Sequence, residues 1–180
     1  AWWSTVATSL QLALVAWTLH PPLLQALWPT LAGAFLGALL LGASATWWSK
    51  APTQAPNADS RAFSVWQSLG LAALLSALTV IVAWAQAAYG SGALYGATAL
   101  AGLADVHSAA AAAISVLAQG QSDVATVSLA VLLAFLTNTL SKIVVAFVAG
   151  GLRYGWVVSL GLVGVGAAAC LPWVLNLSQG

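Results

Sequence analysis

Apolar runs separated by short polar breaks make up nearly the whole chain. Six can be marked: Trp2–Leu19, Leu23–Trp48, Phe63–Ala88, Ala93–Gln119, Val124–Ala149 and Tyr154–Leu175. A helix needs about 17–25 mostly apolar residues to cross roughly 30 Å of hydrocarbon, and these runs have that length. The breaks are "HPP" at His20–Pro22, the polar stretch Ala51–Arg61, "GSG" at Gly90–Gly92, "GQSD" at Gly120–Asp123 and "GG" at Gly150–Gly151. Glycine, proline and short polar clusters are the usual punctuation between helices. The pattern therefore predicts an all-α, polytopic transmembrane bundle of about six segments. Ala51–Arg61 is too short to be a domain of its own, so residues 1–180 read as a single transmembrane domain.

Composition strengthens this reading. The chain is 62% hydrophobic and 4% charged, against about 25% charged residues in soluble domains. It cannot clothe a water-facing surface, and its partner is the lipid bilayer. A net charge of +1 provides no basic footprint for nucleic acid. The lone Cys170 lies in an apolar run, which excludes a disulfide framework or thiolate metal site within this chain. No methionine occurs, even at position 1, and no basic region with a cleavage site precedes the first apolar run. The expectation is a piece of a longer membrane protein rather than a signal peptide followed by a domain.

Tryptophan favours the headgroup level, and all ten here stand near predicted segment ends. Trp2/Trp3 and Trp17, Trp28 and Trp47/Trp48, Trp66 and Trp84, and Trp156 and Trp173 are separated by roughly 21–29 Å of helix. Segments four and five have none. They are expected to meet little lipid, sheltered by the other helices or by further subunits.

Small residues mark close packing. Gly33-x-x-x-Gly37 and Gly164-x-x-x-Ala168 are spaced to let helix backbones approach. The run Ala109–Ala113 keeps segment four narrow on every side.

Segments four and five also hold the out-of-place polar residues. A tight turn at Gly120–Ser122 makes the two segments antiparallel. Counting from that turn places Asp105 about level with Thr137 and Asn138, and His107 about level with Ala134–Leu136. Ala134, Asn138, Ser141, Lys142, Val145 and Ala149 share a helical face. The candidate ligand or ion pathway is thus Asp105, His107, Ser108, Asn138, Ser141 and Lys142. Charges inside a membrane are costly and normally face a partner or a cavity, and Asp105 and Lys142 are natural partners. Aspartate is also a favoured N-cap. Segment four is accordingly expected to break near Asp105, with Gly102 ending the first half; Gly102, Gly33 and Gly37 are the helix-break or packing positions. Lys142 could alternatively snorkel to the nearer face, and His107 could be a hydrogen-bonded core histidine.

Catalysis is not indicated, because no Ser-His-Asp spacing, paired acids or Gly-x-Ser-x-Gly elbow is present. Asp105 and His107, two residues apart on a helix, point to different faces with no further ligand nearby, so neither a metal nor another cofactor is expected.

The stretches "WAQAAYGSGALYGATALAGLADVHSAAAAAISVLAQGQ" and "LAVLLAFLTNTLSKIVVAFVAGG" resemble the bacterial membrane domain of unknown function that often follows an MgtC/SapB-type domain. The matching features are Tyr89-Gly90, "GLADVHS" where that family has Gly-Leu-x-Asp-x-Asp, "NTLSK" where it has Asn-x-x-x-Lys, and a double glycine. The likeness is strongest over Trp84–Gly151. It implies the C-terminal part of a larger polytopic protein in the bacterial cytoplasmic membrane. Gly102, Asp105, Asn138 and Lys142 fit the family pattern, whereas His107 stands where an acid is usual. The resemblance further implies two internal repeats, of which this chain would hold the second, so that a site between repeats would need the missing N-terminal part or a homo-oligomer.

Two functions follow as expectations. In one, segments four and five line a path for an ion or small solute through a transporter or channel. In the other, the chain is a non-transporting scaffold or regulatory subunit in which Asp105 and Lys142 form a structural ion pair. Lys50 and Arg61 on one side and Arg153 on the other lean only slightly towards a cytoplasmic Ala51–Arg61 loop.

Overall fold

The computed structural model describes residues 2–48 and 87–177, together with Leu69, Ala73, Ser76, Ala77, Val80, Ile81 and Trp84. The Ala51–Arg61 loop and most of the expected third segment lie outside the described residues. Those that are described form helices and turns, with no strand among them. The order is α1 (Trp2–Leu19), α2 (Pro21–Trp48), α3 (Ser91–Ala104), α4 (Val106–Ala118) and α5 (Val124–Leu177). Among the described residues, three stretches are long and apolar enough to cross a membrane: Pro21–Ser44, Val124–Val148 and Gly151–Leu175. α3 and α4 are apolar but shorter, because the expected fourth segment is interrupted at Asp105.

α5 is a helical hairpin rather than one rod. Gly151 has φ 74° and ψ 174°, a conformation open to glycine and strained for other residues. The chain turns there into two antiparallel arms, and Gly166 of the second comes back against the first, where a Cβ on it would stand 3.5 Å from Leu136 Cδ2. An edge-to-face contact between Phe147 and Trp156, with centroids 5.7 Å apart, spans the corner. The turn before α5 is equally specified. Gly120, at φ 71°, donates its N–H to Leu117 O at 2.9 Å, and Gln121 N donates to Val116 O at 3.1 Å. This is the paired Schellman arrangement that satisfies a helix's last carbonyls. Asp123 then caps α5, accepting from Thr126 N at 2.9 Å and from Thr126 Oγ1 at 2.7 Å.

The packing is inverted relative to a soluble protein, with small and hydroxyl residues inside and large apolar ones outside. On α1 the buried face is Thr5, Thr8, Ser9, Leu12 and Ala16, while Leu10, Leu14 and Trp17 are exposed. Lipid is as apolar as leucine, so helices associate by close fit and by hydrogen bonds, which small residues permit. The α1 hydroxyls turn back on their own helix, Thr8 to Ser4 O at 2.8 Å and Ser9 to Thr5 O at 3.0 Å.

A close approach joins α2 to the second arm of α5. A Cβ on Gly33 would stand 2.6 Å from Ala168 O, and one on Gly37 would touch Val165 and Ala168. The two small-residue motifs are therefore halves of one seam, except that Val165 takes the place expected of Gly164, which has open space beside it. Pro172, four residues after Ala168, has no N–H to offer the Ala168 carbonyl. That oxygen lies against Gly33, where a side chain would have no room.

α4 is enclosed as its alanine run predicts: Ala109, Ala110, Ala112, Ala113, Ile114, Val116 and Leu117 are all buried. The shelter does not extend along all of segment five. Leu140, Val144, Val145 and Val148 are exposed among the described residues, because α3, α4 and the second arm cover only the opposite side. The expected inward face from Ala134 to Val145 is therefore buried at Ala134 and open at Val145.

Gly33→Leu is expected to destabilise the bundle by about 1–3 kcal/mol, the usual cost of overpacking, since the obstacle is backbone; Gly164→Ala should be neutral. Thermal unfolding in detergent measures both. The two Thr126 hydrogen bonds hold the Asp123 carboxyl below the usual carboxylate range. A depressed folded-state pKa stabilises above the unfolded value, near about 4, and is lost as pH falls through the folded one. Unfolding midpoints measured from pH 6 downward should fall less steeply for Asp123→Asn than for the native chain.

Candidate polar site at the helix break

The site begins with a single extended residue. Asp105 adopts φ −156° and ψ 117°, ending α3 and starting α4. Its N–H still donates to Ala101 O at 2.9 Å, and its carbonyl accepts from Ala109 N at 3.2 Å. Its carboxylate accepts from Ser108 N at 2.7 Å. Asp105 therefore closes one helix and caps the next, satisfying an N–H that the break would leave open.

The break falls at Asp105, and of the two roles expected for Gly102 the contacts are those of packing. Gly102 lies within α3, where a Cβ would meet Thr137 Oγ1 at 2.5 Å and the Ala134 Cα and O at 2.6 Å. It brings α3 against the first arm of α5 at the register the turn count predicts. One residue on, the Leu103 carbonyl, deprived of a helical donor, accepts from Ser141 Oγ at 2.8 Å. Thr137 bonds its own helix, reaching Leu133 O and Ala134 O at 3.1 Å.

Lys142 overturns the expected pairing. Its Nζ donates to Thr8 Oγ1 at 3.3 Å and Thr5 Oγ1 at 3.4 Å, both on α1, and no ion pair joins it to Asp105 among the described residues. The reason is helical spacing. Ser141, one residue earlier, faces α3, so Lys142 is rotated by about 100° towards α1. Both contacts are long compared with the about 2.7–2.9 Å of an ammonium bonded to a carboxylate. A half-buried cation is thus seated loosely on neutral oxygens.

His107 sits in the first turn of α4 with its Nδ1 buried and without a hydrogen-bond partner, contrary to a hydrogen-bonded core histidine. Asn138 is half-buried on the first arm of α5. Among the described residues no three His, Cys, Asp or Glu side chains gather as a metal site would need. The structure thus joins Asp105 to Ser108 and Leu103 to Ser141 at the break, and seats Lys142 apart from them, on Thr5 and Thr8 of α1. The sequence reading missed those two. Their signal was a cluster of hydroxyls, Thr5, Thr8 and Ser9, on one face of an apolar helix.

Removing the cap by Asp105→Ala should cost about 0.5–2 kcal/mol, and Asp105→Asn much less, since asparagine caps as well. In a double-mutant cycle with Lys142→Met, Asp105→Asn should be additive within about 0.5 kcal/mol, as for residues without a shared contact. Detergent unfolding midpoints read both.

Neither a curated protein nor a solved structure matches the chain. Residues 1–150 match a protein family described as Domain of unknown function (DUF4010). The match takes in α1 and α2 as well as all but the last residue of the Trp84–Gly151 stretch on which the resemblance was strongest. It therefore covers the broken helix, Lys142 and the two threonines that hold it. This chain, an all-helical protein with apolar membrane-length segments, belongs to the DUF4010 family.

Proposed function

We propose that this protein moves an ion or small solute across a membrane, through a polar site at the α3–α4 break. The observation that carries the proposal is a half-buried ammonium without a carboxylate partner among the described residues, in the same bundle as an interrupted helix. Intramembrane charges are retained where they have work to do. Interrupted helices that turn backbone groups towards a cavity are a recurrent means of binding solutes at mid-membrane. Lys142, held at long distance by two hydroxyls, is the group a passing solute would engage. Asp105 fixes the opening of α4, while Ser141 and Leu103 hold α3 beside Lys142. His107 and Asn138 complete the path.

The same reading places six segments in the bilayer, with α3 and α4 as one discontinuous crossing. It places the chain in a bacterial cytoplasmic membrane, as the C-terminal part of a protein with an MgtC/SapB-type domain, where the N-terminal first repeat or a homo-oligomer would complete the path. A scaffold or regulatory role is the second reading. It is favoured by the Lys142 contacts, which clip α1 to α5, rather than by a pair with Asp105.

Vesicles containing the purified chain and loaded with pH-, sodium- and chloride-sensitive dyes test the choice under imposed gradients. Lys142→Ala is expected to lower flux of the transported species at least tenfold, and Asp105→Asn, which still caps α4, to keep most of it, while unfolding midpoints stay close to native. Equal flux in all three proteins, or none in the native one under any gradient, would leave the scaffold reading.

A further inference from the structure

A second site lies away from the helix break. The early part of α2, the first turns of α5 and the end of its second arm line a half-open cavity of about 470 Å³, within the range of small-molecule pockets. Pro29, Thr30, Val124, Ser128, Pro172 and Trp173 are among its walls. Thr30 and Ser128 are only 3% and 1% exposed, and the hydroxyl oxygen of each is buried without a hydrogen-bond partner. Elsewhere in the bundle, Thr8, Ser9, Thr139 and Ser159 discharge their hydroxyls onto the carbonyl four residues earlier. Thr30 and Ser128 forgo that bond although the geometry of a helix offers it, and both stand at the same cavity.

The walls define what could fill it. Among the described residues no charged side chain lines the cavity, and the nearby Asp123 carboxylate is engaged with Thr126. An ion would therefore lose its hydration without compensation. Each hydroxyl can donate one hydrogen bond and accept others, so the matching group carries oxygen and no net charge. The remaining walls are apolar, with an indole at the edge whose ring prefers the boundary between lipid and water. Val124 is the first residue of α5, so the cavity sits beside the Gly120–Asp123 turn, at one end of the bundle.

We infer that this cavity binds an uncharged alcohol or ester group carried on an apolar body, with Thr30 and Ser128 holding the oxygen-bearing group. That chemistry occurs in the glycerol-ester region of a glyceride lipid and in free small polyols. The inference is independent of transport at Lys142.

Purified full-length chain in detergent is titrated with monoolein, with glycerol and with octadecene while its thermal unfolding is followed. Monoolein is expected to raise the midpoint saturably. Thr30→Val/Ser128→Ala should raise the half-saturating concentration at least tenfold, and Ser128→Ala alone by a smaller factor. Without added probe, both variants should unfold at or above the native temperature, because they delete hydroxyls that lack partners. A saturable shift with glycerol that the same variants weaken also supports the site and assigns it to free polyols. Absence of a saturable shift with either probe, an equal shift with octadecene, or half-saturation unchanged in the double variant would overturn the inference.

Discussion

In hydrocarbon there is no water to receive an abandoned N–H or carbonyl, so every interruption of a helix must be repaired from within the protein. The structure depends on these repairs. Pro172 strips the Ala168 carbonyl of its donor, and Gly33 of a neighbouring helix comes close enough to cover it. The extended residue at Asp105 opens α4, and its own carboxylate closes the gap at Ser108. The freed end of α3 is met by Ser141 from across the interface. At the Gly120 turn the last carbonyls of α4 are taken up by the two residues that follow. Each departure from regular helix is thus tied to a specific contact, and those contacts fix how the helices lie together.

Much of this was legible in the residues. The length of the apolar runs, the glycine and proline breaks, the narrowness of α4 and the break near Asp105 all follow from patterns with a local cause. A cap needs an aspartate and a free N–H three residues on, and both lie within one short stretch. The small-residue motifs were equally visible, although their pairing with each other was not, because spacing along one helix does not reveal which helix will face it.

The polar residues were harder for the same reason. Counting from the turn placed α3 against the first arm of α5 at close to the right level, and the contact of Gly102 with Ala134 and Thr137 reflects that. Direction around the helix axis decided the rest. A rotation of one residue separates Ser141, which faces α3, from Lys142, which faces α1. Attraction between opposite charges suggested an Asp105–Lys142 pair, but the fixed geometry of the backbone sends the two side chains to different neighbours. Thr5 and Thr8 carried too weak a signal by themselves, since hydroxyls in membrane helices usually bond their own backbone.

The alanine run has a mechanical consequence. Interlocking ridges and grooves normally hold two packed helices in register, yet between Ala109 and Ala113 the rod has only methyl groups to offer its neighbours. Its axial position is consequently governed from its two ends, by the carboxylate clasp at Asp105 and the glycine cap at Gly120.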